Sequence, residues 1–183
     1  MMGKKKVSIS SVLVFIVAFL GLGVGAYSLY NYQQLVSQVE PPRPLTRAFL
    51  ATSYSMLDTV WESVDFDVLD YAVNGNFNIT TDRFICPISG YYLISGMVTF
   101  SSMQDGETIR AGAFCGGVFK AGSVAHASHT NDLSVGFTDI VFLNAGDYVE
   151  LGVYHTGAGL RSIYGNPAGT YTYLTIAATD ILN

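Results

Sequence analysis

The chain is poor in positive charge. Nine lysines and arginines stand against fourteen carboxylates in 183 residues, leaving a net charge of −5. A nucleic-acid surface needs clustered cations, so this balance argues against a polynucleotide partner. Cysteine is scarcer still, and two residues are too few for a disulfide scaffold or a four-ligand zinc site. Only 13% of the chain is charged while half is apolar, with 12 Tyr and 11 Phe, which excludes a disordered protein. No nucleophile elbow, HExxH helix, P-loop, dinucleotide fingerprint or pair of catalytic carboxylates occurs. With no base–nucleophile pair either, the chain does not read as an enzyme. Its length fits one domain and a short appendage.

What is present begins with a basic head, residues 1–6, carrying Lys4, Lys5 and Lys6. Residues 7–30 follow without a charge, enough for a helix to cross ~30 Å of hydrocarbon. The lysines would stay in the cytoplasm, which makes this a single-pass signal anchor at the cell membrane with the C-terminal domain outside. Tyr27, Tyr30 and Tyr32 fall where an interfacial aromatic belt would lie. A second reading stands beside the first. Val24-Gly25-Ala26 also suits cleavage of a signal peptide after Ala26, which would yield a secreted protein. Residues 31–46 read as a linker stiffened by Pro41, Pro42 and Pro44, with neither heptads nor a Gly-X-Y repeat. Beyond residue 46, five cations against thirteen carboxylates leave about −8, which resists nucleic acid and anionic membrane surfaces.

From residue 47 to 183 the chain has no helical period. Short β-branched and aromatic runs alternate with Gly, Asn, Asp and Pro, as at Asn74-Gly75-Asn76, Gln104-Asp105-Gly106 and Asn144-Ala145-Gly146-Asp147. About ten strands in that length predict an all-β, antiparallel jelly-roll sandwich. In the run 91–100, one face carries Tyr92, Ile94, Gly96, Val98 and Phe100. The other carries Tyr91, Leu93, Ser95, Met97 and Thr99. The run 134–143 behaves likewise, with Val135, Phe137, Val141 and Leu143 opposed by Ile140 and Phe142. A monomeric sandwich keeps its outer face polar. Strands apolar on both sides need a cover, and another copy of the domain is the economical one; long loops folding over the face are the alternative.

Phe66, Phe77, Phe84, Pro87, Gly90 and Tyr92, in the setting Phe77-Asn-Ile-Thr-Thr-Asp-Arg-Phe84-Ile-Cys86-Pro87-Ile-Ser-Gly90-Tyr-Tyr92, form a spaced pattern. It resembles the signature of the C1q domain, the globular head of complement C1q within the tumour-necrosis-factor-like superfamily. The segment Leu143-Asn-Ala-Gly146-Asp147-Tyr-Val149-Glu-Leu151 is similar to that family's Leu-x-x-Gly-Asp-x-Val-x-Leu hairpin. Departures from the pattern fall at Ala72, Asp82, Ile94 and Gly96, and no collagen tail precedes the domain. Together with the two-sided strands, the resemblance implies a homotrimer that binds an extracellular protein or glycan. A structural surface or fibre protein without a soluble ligand is the alternative. Candidate contact loops are 104–107, 121–132 and 157–166. Gly90 and Gly146 stand where unusual dihedrals or close backbone approach are expected, and Asp147 where it can accept from turn amides.

Remaining candidates are weak on their own. His126 and His129 lie in a small-residue stretch that reads as a solvated loop, with a metal site the lesser reading. Asp58, Glu62, Asp65, Asp67 and Asp70 read as solvent-facing strand residues; calcium stays open, as some members of the resembled family bind it, with no ligands assigned. Cys86 and Cys115 either pair in an exported domain or stay buried as small hydrophobes. Asn78-Ile-Thr80 is a glycosylation acceptor sequence. No cofactor is expected.

Overall fold

The computed structural model of the protein describes residues 43–181 apart from residue 75, together with residues 28 and 31. The basic head, the membrane or signal helix and most of the linker lie outside the described residues. Among the described residues no helix is long and apolar enough to cross a membrane.

Thirteen strands follow one another among these residues. They are β1 (Leu45–Phe49), β2 (Tyr54–Met56), β3 (Glu62–Ser63), β4 (Val68–Val73), β5 (Asn76–Asn78) and β6 (Arg83–Ile85). The long β7 (Gly90–Met103) leads to β8 (Thr108–Cys115), β9 (Val118–His126) and β10 (Asn131–Leu143). The last three are β11 (Tyr148–His155), β12 (Arg161–Ile163) and β13 (Tyr173–Ile181). Of the strands not expected from the sequence, β3, β5 and β12 have two or three residues and show no period of two, while the nine residues of β9 are too rich in small side chains to read as a strand. β1 begins at Leu45, inside the expected linker. Leu45 is paired on both sides, with Ala177 of β13 and Val73 of β4, and that pairing outweighs the neighbouring prolines.

All pairings are antiparallel and form two sheets. The first runs β10–β7–β13–β1–β4, with β12 continuing beside β7 beyond the end of β13 and β2 paired to β12. The second runs β5–β6–β11–β8–β9, with β3 also on β11. Consecutive strands cross repeatedly between sheets, so neither sheet can bury its inner face without the other.

The inner faces carry the core. Tyr92, Ile94, Val98 and Phe100 of β7 are fully buried, as are Leu174 and Ile176 of β13 and Val149 and Val153 of β11. Phe84 of β6 meets Tyr92 with ring centroids 5.9 Å apart. Phe66 and Phe77 form an edge-on pair at the same separation, 5.9 Å. The first pair joins three-residue β6 to the long central strand, and the second joins the segment before β4 to β5, ties that two- or three-residue ladders cannot make alone. Truncation of fully buried Phe84 to Ala is expected to cost about 3–5 kcal/mol, because the cavity would sit between two sheets. The drop in urea midpoint at constant slope measures it.

Candidate functional site: an exposed sheet face

The outer face of the first sheet is ordered in rows by the strand registers. One row runs Val73, Leu45, Ala177, Leu93 and Ile140 across β4, β1, β13, β7 and β10. Beside it, Tyr91 and Phe142 are directly opposed, with an edge-on ring contact at 5.3 Å. Ile140 is 56% exposed, Tyr91 46% and Phe142 41%. A polar row follows: Arg47, Thr175, Ser95 and Thr138, with the Thr138 hydroxyl donating to Ser95 Oγ at 3.0 Å. The next row, Phe49, Tyr173, Met97 and Gly136, holds a shallow depression where glycine leaves no side chain.

The two-sided character expected for β7 and β10 is therefore present, and the chain covers part of it. Thr99, on the same outer face, is buried: its hydroxyl donates to Tyr171 O at 3.0 Å and meets Ser134 Oγ at 2.7 Å. The segment 164–172 thus shields that end of β7. Tyr91, Leu93, Ile140 and Phe142 have no such cover among the described residues.

The candidate loops meet at one end of the sandwich. The turn 104–107 is closed by Glu107 N donating to Gln104 O at 3.1 Å, and Ala127 N donates to Glu107 O at 2.8 Å. Arg161 reaches the Glu107 carboxylate with both Nε, at 3.0 Å, and Nη2. That guanidinium holds the Glu107 carboxyl below its ordinary range. Three loop boundaries need correction. Residues 121–126 belong to β9, residues 131–132 to β10, and 161–163 form β12. Glycine and alanine in β9 look like loop composition, yet Gly122 lies under the Phe119 ring, where a Cβ would come within 2.5 Å of Cζ. His126 therefore ends a strand and meets Thr108 Oγ1 at 2.8 Å, while His129 sits beyond it against Ser128 Oγ at 3.1 Å.

Most of the other singled-out residues serve the scaffold. Phe66, Phe77, Phe84, Tyr92, Leu143 and Val149 are buried. Gly146 has φ +91°, a conformation that favours glycine, whereas Gly90 does not share it and simply opens β7 between Leu143 and Ile181. Pro87 follows β6, and Asp147 Oδ2 accepts from Asn144 N at 2.8 Å. Cys86 and Cys115 are free and buried, and burial pushes the Cys115 thiol up to about 11. Asn78 is exposed, with Oδ1 accepting from Thr80 N at 2.9 Å. The acidic series is not one strand: Asp67 accepts from Ala51 N and Thr52 N, and Asp70 pairs with Arg47 at 2.7 Å. Among the described residues no three His, Cys, Asp or Glu side chains converge on a metal position.

No protein-family model and no curated protein matches the sequence. Solved structures do. Eiger TNF from S. frugiperda superposes with a TM-score of 0.55 at 15% identity, covering 78% of this chain and 96% of that one. The globular domain of zebrafish complement 1qA gives 0.54 at 15% identity, covering 76% and 99%. Murine APRIL gives 0.56 at 11% identity, covering 74% and 98%. The fold is the jelly roll of tumour necrosis factor and C1q.

Within this TNF/C1q-like jelly roll one departure from the resembled signature has a physical explanation. Where the signature commonly has glycine, Asp82 adopts φ +54°, a left-handed conformation that Asp tolerates better than most residues. Its Oδ1 accepts from Phe66 N at 2.9 Å and so anchors the segment before β4. Partial burial raises the carboxyl from 3.8 to about 6, against the Phe66 bond, with Asp65 adding repulsion. A raised carboxyl costs stability when ionised, so the cost is present above about pH 6 and absent below about pH 4. Asp82→Asn keeps the acceptor without the charge. It is expected to raise the urea midpoint at pH 7.5 and to lose that advantage as pH falls through 6 toward 4.

Proposed function

We propose that the protein is an exported, membrane-anchored, homotrimeric binding module of TNF/C1q-like fold, recognising an extracellular or cell-surface partner. The observation that carries this reading is the outer face of the first sheet. Tyr91, Leu93, Ile140 and Phe142 form a continuous apolar patch on two paired strands, larger than the scattered apolar residues of a monomer surface. A cyclic arrangement supports its burial: the β10 edge of one copy would lie on the sheet face of the next, and the ring would close without leaving a patch open. The resemblance stated above supplies the number three.

The N-terminal run of residues 7–30 supports an anchor, with the linker holding the domain close outside the membrane. The end at which 104–107, 127–130 and 157–160 gather is the recognition surface in this reading, because loop changes there cost the core least. Three linked copies let weak single contacts add. Light scattering on the purified chain tests the assembly. Three times the monomer mass is expected for the wild type, and Ile140→Glu with Leu93→Glu is expected to give the monomer mass with an unchanged far-UV spectrum. A wild-type monomer would remove the basis of the proposal.

A further inference from the structure

The second sheet carries a different surface, and it stands independently of self-association. Its outer face is cut by a row of three glycines, Gly152, Gly112 and Gly122, aligned across β11, β8 and β9. On one side of this row stand Tyr154, Arg110 and Val124; on the other stand Glu150, Phe114 and Phe119. Glycine weakens a strand interior and marks places where something must come close to the backbone. Here aromatic rings come close. A Cβ on Gly152 would lie 2.3 Å from the Phe114 ring, and one on Gly112 would lie 2.4 Å from Phe119. Beside Phe119 lies a depression of about 430 Å³, lined also by Trp61, Arg110, Ser123 and Val124.

The chemistry of the trough narrows its occupant. Trp61, Phe114 and Phe119 stand with centroids 5.2–5.6 Å apart, in contact with one another, so no ammonium group fits between them as in an aromatic cage. Arg110 lies 5.7 Å over Tyr154 and has no carboxylate partner among the described residues, unlike Arg47, Arg83 and Arg161. In a chain this acidic, an unpaired guanidinium among exposed rings is a site for an anion with an apolar face. β9 is also the last strand of its sheet, so alternate backbone amides and carbonyls along it have no ladder partner and suit hydroxyls. Ring faces, one guanidinium and open strand-edge groups are together what a carboxylated sugar needs: C–H groups for the rings, a carboxylate for the arginine, hydroxyls for the edge.

We infer that the trough between Trp61, Arg110 and Phe119 binds an acidic pyranose, such as a uronic acid at the end of a glycan. Trp61 is the chain's one tryptophan, so its fluorescence reports this site alone. Titrating the full chain with glucuronate is expected to give a saturable change with a dissociation constant on the order of 1 mM, and glucose a response at least about tenfold weaker. Read by calorimetry, Arg110→Met is expected to weaken glucuronate binding at least about tenfold, and Phe119→Ala to weaken it further, with the molecular mass unchanged. Equal responses to glucose and glucuronate, tighter binding of adenosine monophosphate than of glucuronate, or an Arg110→Met variant that binds as the wild type would each overturn the assignment. Because the mass is followed separately, failure here is distinguishable from failure of the self-association reading.

Discussion

The structure depends on β7 being apolar on both of its faces while sitting between β10 and β13. One face, with Tyr92, Ile94, Val98 and Phe100, has nowhere to go but the core, and burying it fixes the register of both neighbours. A slip by one residue would exchange that set for Tyr91, Leu93, Ser95 and Met97. The exchange would put Ser95 in the core and move an aromatic from one side to the other. The register is therefore fixed, and the second set is fixed with it on the outside, in line with Ile140 and Phe142. The exposed patch is a consequence of the way the core is made.

The two sheets then divide their roles. The first presents an apolar patch bordered by a polar stripe through Ser95 and Thr138. The second presents a narrow trough with one unpaired guanidinium, which suits a small charged ring rather than a protein surface. Loops tied through Glu107 lie at one end, so neither face interferes with them.

Periodicity made much of this readable. The alternation at 91–100 and 134–143 named the buried and exposed faces of β7 and β10 residue by residue, because a two-residue period survives in strands of thirteen or fourteen residues. Three of the shortest strands, β3, β5 and β12, carry no period and were not legible. β9 was hidden for a different reason: its small residues resemble a loop, and only the ring of Phe119 lying over Gly112 and Gly122 explains them. The trough was hidden by distance along the chain. Trp61 precedes Arg110 by 49 positions, and only the pairing of β3 with β11 sets it beside Phe114. A trace existed in the sequence, since Gly112 and Gly122 interrupt otherwise strand-like runs. Asp82 shows the reverse case, where the departure from glycine was visible and its meaning came from the left-handed backbone.

Hydroxyl-radical footprinting of the full chain tests most directly whether sister copies cover the first sheet. The account predicts that Tyr91, Ile140 and Phe142 are protected at micromolar concentration and gain reactivity on dilution, while exposed Val118 and Leu160 react throughout. Reactivity at Ile140 and Phe142 equal to that of Val118 at every concentration would contradict it.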